Sequence, residues 1–170
     1  MINEKEELWY QRTFDVPSAW RGKQILLHFG AVDWKAEVWV NDVKVGEHTG
    51  GFTPFYFDIT SVLNKGNNDL VVKVWDPSDR GEQPRGKQIA NPHGIWYTPV
   101  TGIWQTVWLE PVATQYITNL KTTPDIDNNS VKVEVAANTT SADKVEVKVF
   151  DGKNLVAKGA ALNGVPVELA

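Results

Sequence analysis

The sequence predicts an all-β chain of antiparallel sandwich sheets, on three observations. Short apolar or alternating runs recur between turn signals, no long segment keeps a helical period, and the last third alternates valine with charge. In order, "QILLHFGAV" (24–32) reads as a buried strand, and "AEVWVNDVKVG" (36–46) as two strands around Asn41-Asp42, a two-residue hairpin signal. There Val38 and Val40 face one way and Trp39 the other. "FTPFYFDITSVL" (52–63) is an aromatic strand with room for one helical turn, "NKGNN" (64–68) is a turn, and "DLVVKVWD" (69–76) is the next strand. "GIWQTVWLEPV" (102–112) closes the group as one strand, with Ile103, Gln105, Val107 and Leu109 on one face and Trp104, Thr106 and Trp108 on the other.

Beyond Val112 there is no tryptophan. "SVKVEVAAN" (130–138) sets Val131, Val133 and Val135 against Lys132 and Glu134, and "DKVEVKVFDGKNLVAKG" (143–159) repeats the pattern around an Asp151-Gly152 turn signal. Two domains are therefore expected, 1–112 and 113–170. The second has about four strands, against about 100 residues for a complete immunoglobulin-like sandwich, so the chain is expected to be part of a longer protein.

Composition narrows function by exclusion. The net charge of −4 offers no basic field for nucleic acid, and no run of 18 apolar residues is present to cross a membrane. The opening "MINEKEEL" has no apolar core of a signal peptide. Without cysteine there is no disulfide, thiolate metal site or thiol nucleophile. His28, His48 and His93 show no metal-ligand spacing, and "DIDNN" (125–129) resembles a calcium loop but lacks its glycine and final glutamate, so it reads as a turn. No metal or other cofactor is expected. Asn138-Thr139-Thr140 fits the N-glycosylation pattern, which matters only in a eukaryotic host.

The unusual feature is eight tryptophans, seven of them within the first 104 residues. Aromatic rings beside hydrogen-bonding side chains suit sugars, which present apolar C–H faces and polar edges. The 26-residue stretch 76–101, "DPSDRGEQPRGKQIANPHGIWYTPVT", is long for an irregular loop and carries Asp79, Arg85, Lys87, Gln88, Asn91, His93, Trp96 and Tyr97 as candidate sugar contacts. Gly-Ile-Trp occurs at 94–96 and again at 102–104. Trp96 and Tyr97, in the loop, are the better sugar-facing candidates. Trp104 and Trp108 are expected in core or interdomain packing, Trp39 and Trp75 in sandwich packing. Asp76 and Asp79 are expected to cap their own loop.

"LWYQRTFDVP" (8–17), "LHFGAVDWKAEVWVNDVKVGEHTGGFTPFYFDIT" (27–60), "VVKVWDPSD" (71–79), "RGKQ" (85–88) and "TGIWQTVWLEPV" (101–112), in this order and spacing, resemble the front end of glycoside hydrolase family 2, the β-galactosidases, β-glucuronidases and β-mannosidases. The resemblance implies a galactose-binding-like jelly roll over 8–112, then the start of an immunoglobulin-like domain. It also implies a catalytic barrel elsewhere carrying two glutamates, so this chain is expected to be no enzyme by itself. The expected partners are carbohydrate and that barrel; the family also favours a periplasmic or extracellular bacterial location. One departure stands out. The family's loop aspartate lies six residues before the glycine of its [Ser/Ala]-Gly-Ile motif; here that position is Trp96, and the loop is about three residues longer. His93, Asn91 or a stacked Trp96 then stands where the aspartate would. An independent carbohydrate-binding module, with coplanar exposed tryptophans on a sheet face or in a cleft, and an adhesive sandwich pair are the alternatives.

Overall fold

Alternation along the strands decides which side chains the two faces of each sheet receive. A computed structural model describes residues 5–170; the first four residues of the acidic opening stretch lie outside them. The chain divides into two units, 1–111 and 112–170.

The first unit is an antiparallel sandwich. Strands β1 (Glu7–Phe14), β4 (Lys35–Val40), β5 (Val43–Thr49) and β7 (Asn68–Trp75) form a sheet in the order β1-β7-β4-β5. Strands β2 (Gln24–Phe29), β6 (Phe55–Asp58) and β9 (Val107–Val112) form a second, in the order β6-β2-β9. The short pair β3 (Val32–Asp33) and β8 (Gly102–Ile103) stands at their margin. Ala36, Val38, Val40, Val72 and Val74 from the first sheet meet Ile25, Leu27 and Phe29 from the second, all essentially excluded from water. Each buried Val, Leu, Ile or Phe contributes about 1.5–3 kcal/mol of transfer free energy, which makes this interface the stabilising element of the unit.

Turn chemistry agrees with the sequence. Asn41 and Asp42 both adopt positive φ between paired Val40 and Val43, the backbone of a type I′ hairpin. Asp58 accepts from the Thr60 amide and starts the 3₁₀ turn Thr60–Val62. The expected single strand from Ile103 to Val112 is instead two. At 104–106 the chain bends past β2, with the Trp104 and Gln105 amides both directed at the Ala31 carbonyl and the Gly30 amide donating to Thr106.

In the second unit, β10 (Ile117–Asp125), β11 (Ser130–Ala137) and β14 (Val167–Leu169) make one sheet, and β12 (Lys144–Asp151) and β13 (Asn154–Leu162) a second. Five strands are present rather than about four. β10 is exposed at all nine positions, so nothing buried imposed a period on its sequence. Val131, Val133 and Val135 do share the inner face with Val145, Val147 and Val149, while Lys132 and Lys121 pair with Glu134 on the outside. The hairpin loop is Gly152-Lys153, one residue later than expected, because Asp151 pairs with Asn154. "DIDNN" is a turn in which Asp125 accepts from the Asn128 amide and side chain.

Three polar residues among those described are buried in the first unit, Asn68, Asp76 and Ser78. Asn68, 1% exposed, accepts from the Asn64 amide and the Asn41 side chain and donates to the Gly66 carbonyl. Asn41 in turn accepts from the Asp69 amide, so this pair joins the β4–β5 hairpin to the turn before β7. Replacing Asn68 with Ala empties a buried site and takes a partner from the Asn64 amide, the Asn41 side chain and the Gly66 carbonyl. It is expected to cost about 1–2 kcal/mol in urea denaturation, against under about 0.5 for the exposed Lys65→Ala. Equal effects of the two substitutions would contradict this role.

Candidate functional site

Between Trp75 and Gly102 the chain forms no strand, yet it is tied together from within. Asp76, 5% exposed, accepts from the Ser78 amide at 2.7 Å and from the Thr101 hydroxyl at 2.7 Å, so one carboxylate holds both ends of the loop. Asp79 accepts from the Ala90 amide, and its carbonyl accepts from the Arg85 guanidinium. In the middle, the Tyr97 amide donates to Lys87 and the Ile89 amide to Tyr97, a parallel bridge at Gln88 and Tyr97. The Gln88 side chain accepts from the Val100 amide. Asp76 and Asp79 thus cap their own loop.

The returning chain enters through a position that only glycine fills. Gly102 has φ +122°, and a Cβ there would lie 2.2 Å from the Tyr10 hydroxyl, which accepts from the Ile103 amide. Gly102 pairs with Asp33 across β3 and β8. Trp104, two residues on, donates its indole N–H to the Gly51 carbonyl at 2.8 Å and meets Phe52 edge-on.

These contacts enclose a cleft of about 390 Å³ lined by Asp33, Phe52, Gln88, Tyr97, Thr101 and Trp104, among others. Its volume lies at the small end of the range for ligand sites, about 300–1,000 Å³. Tyr97 is 65% exposed and Trp104 49%. Burial, with the Asp76 charge adding to it, raises the Asp33 carboxyl to about 6. Around pH 6 this group changes from proton donor to acceptor. The arrangement offers aromatic faces for C–H contacts and a carboxyl for a hydroxyl. Asp76, with both oxygens engaged in holding the loop, is not disposed as a nucleophile.

Of the eight sequence candidates, Gln88 and Tyr97 line the cleft. Asp79 and Arg85 turn inward to brace the loop. Lys87 is exposed and engaged through its carbonyl. The His93 ring bonds the Asn91 carbonyl on the exposed loop tip, and Trp96, at the end of that turn, does not line the cleft. Trp104 and Trp108, expected in packing, are half exposed within this chain. Val107 and Leu109 take the inward face of β9, leaving Trp108 outside, stacked on His28 at 4.8 Å. Trp39 likewise lies on the outer face of its sheet, since Val38 and Val40 occupy the inner one. Asp33, Phe52, Thr101 and Trp104 went unread as site residues. The one available signal was an acid, Asp33, inside the apolar run "GAVDW".

The family described as "Glycosyl hydrolases family 2, sugar binding domain" matches residues 1–111. A β-galactosidase of Thermoanaerobacter pseudethanolicus is 35% identical over 149 residues, covering 86% of this chain and 19% of that protein. A human β-glucuronidase is 26% identical, covering 92% of this chain and 28% of its own length. A Ruminococcus gnavus β-glucuronidase, solved in complex with D-glucuronic acid, superposes with a TM-score of 0.73 at 26% identity, over 96% of this chain and 30% of that one. The chain thus spans less than a third of the length of each.

The Asp33 carboxyl gives a pH test. Its folded value of about 6 lies above the ordinary 3.8, so the folded state holds a proton that the unfolded state has released. The associated stability is present below the unfolded value and is lost as pH rises through 6. Asp33→Asn is therefore expected to flatten thermal stability between pH 4 and 7, and to stabilise by about 1–2 kcal/mol at pH 7.5 once the half-exposed setting is discounted. Parallel wild-type and variant curves would contradict this.

Proposed function

Given that the chain belongs to glycoside hydrolase family 2, we propose that it is the non-catalytic front portion of a β-galactosidase-like enzyme that hydrolyses O-glycosidic bonds in carbohydrate metabolism. A retaining glycosidase uses two carboxyl groups about 5–5.5 Å apart; in this reading both belong to a catalytic barrel supplied by a further part of the protein. The segment described here scaffolds that barrel and lends it the loop 76–101.

The cleft beside Asp33 carries the reading. Trp104, Phe52 and Tyr97 present ring faces and edges to the apolar side of a pyranose, and Asp33 and Gln88 supply polar groups at its rim. Binding a sugar unit away from the cleaved bond is productive because remote contacts can be spent on orienting the reacting centre. Trp96 then acts on the exposed side of the loop, where the family's aspartate is replaced.

Titration of the chain with methyl galactosides, glucuronides and mannosides, read by tryptophan fluorescence, tests the proposal. A saturable response at millimolar sugar, weakened about tenfold or more in Trp104→Ala and in Tyr97→Ala, is the expected result. A response that both variants leave unchanged, or none to any of the three sugars, would overturn sugar contact at this cleft.

A further inference from the structure

The outer face of the β1-β7-β4-β5 sheet carries a second aromatic feature, remote in sequence from the loop. On β1, β4 and β7 the odd-numbered positions face away from the core, and on β5, across the bulge in the β4–β5 register, Lys44 and Glu47 do so opposite Trp39 and Glu37. Trp9 on β1 and Trp39 on β4 reach across β7 and stack, with ring centroids 5.9 Å apart and planes 22° from parallel. Trp9 is 60% exposed. A lysine ammonium lies 5.8 Å from each ring centroid: Lys73 at Trp9 and Lys44 at Trp39.

Those lysines are held in place. Glu37 lies between them, 2.5 Å from Lys73 and 2.7 Å from Lys44, and Glu47 and Glu7 lie 2.9 Å and 3.5 Å from Lys44 and Lys73. Lys44 first and then Lys73, both donating to it, hold the Glu37 carboxyl down at about 2. On the same face Gln11 donates to Asp69 at 3.0 Å. The result is an indole pair within a grid of fixed hydrogen-bonding groups.

We propose that this face is a carbohydrate-binding surface distinct from the cleft, taking a neutral polysaccharide whose sugar rings lie on Trp9 and whose hydroxyls bond the Lys73, Glu37 and Lys44 heads. The composition of the face selects this occupant. A dry protein interface would bury the paired Lys44, Lys73 and Glu37 heads at a desolvation cost that their attraction does not reliably return, and interface cores are depleted in lysine and glutamate. A polysaccharide leaves those heads wet while covering the ring. Four carboxylates (Glu7, Glu37, Glu47 and Asp69) face three ammonium groups (Lys35, Lys44 and Lys73), so nucleic acid and polyuronate find no net positive field. Trp39 sits beneath as backing for the Trp9 ring, and the lysines restrict its tilt. The surface needs neither the barrel nor the loop, so it stands or falls independently of the cleft.

Affinity electrophoresis of the chain through gels containing soluble galactan, glucomannan, arabinoxylan or polygalacturonate tests this. Retardation by at least one neutral glycan is expected, weakened about tenfold by Trp9→Ala in the wild-type and the Trp104→Ala background alike and retained in Lys65→Ala, with near-UV circular dichroism showing the variants folded. Trp39→Ala serves as the second variant and is expected to weaken retardation likewise. Three results overturn the proposal: no retardation by any neutral glycan, retardation by polygalacturonate alone, or retardation that Trp9→Ala and Trp39→Ala leave intact. If retardation is lost only in Trp104→Ala, the cleft binds and the sheet face does not.

Discussion

A single buried carboxylate closes the loop on which the candidate site is built. Closing 26 residues costs roughly 3 kcal/mol in chain entropy, before any residue is fixed in place. Asp76 offsets this by accepting from Ser78 at the loop's entry and Thr101 at its exit. As a buried charge it requires those donors: losing one leaves an acceptor out of water without a partner. The sequence around it follows from the same requirement. Thr101 supplies the hydroxyl, Gly102 the backbone that a side chain would bar, and Tyr10 the hydroxyl that receives the next amide.

That closure sets the chemistry of the cleft. It puts Gly102 opposite Asp33, brings the Asp76 charge near enough to add to the effect of burial on Asp33, and delivers Trp104 to the Gly51 carbonyl beside Phe52. The loop contributes Gln88, Tyr97, Thr98, Val100 and Thr101 to a wall whose other members come from β3, the β5–β6 connection, β8 and the chain beyond it. The outer sheet face has another origin. It needs only the two-residue strand period and the register that sets Trp9 opposite Lys73 and Lys73 opposite Glu37. One unit therefore presents two aromatic surfaces made by different physical devices.

The strands were legible because burial writes a period into sequence. Val131, Val133 and Val135 against Lys132 and Glu134 needed no coordinates to assign, and Asn41-Asp42 announced its hairpin. β10 was illegible because both of its faces are wet. Alternation also placed Trp39 and Trp108 opposite their inward neighbours, yet it does not say what covers the far face: Trp39, assigned to sandwich packing, lies outside the sandwich, and Trp108, assigned to core or interdomain packing, lies outside the core. The loop was found by its length. Its division into inward braces such as Asp79 and Arg85 and a cleft residue such as Tyr97 depends on the fold-back at Gln88, a long-range event with no local signature. Asp33 was missed because one acid in an apolar run resembles a strand end until its partner across the sheet is known.

Amide hydrogen exchange in wild type and Thr101→Val tests the closure most directly. The substitution removes one donor to Asp76 and nearly conserves volume. The account predicts slow exchange at Ile89 and Tyr97 in wild type, accelerated about tenfold or more by the substitution, with Val38 and Val72 in the core sheet unchanged. Fast exchange at Ile89 and Tyr97 in wild type, or slow exchange there that survives Thr101→Val, would show that Asp76 does not hold the loop and that the cleft has another basis.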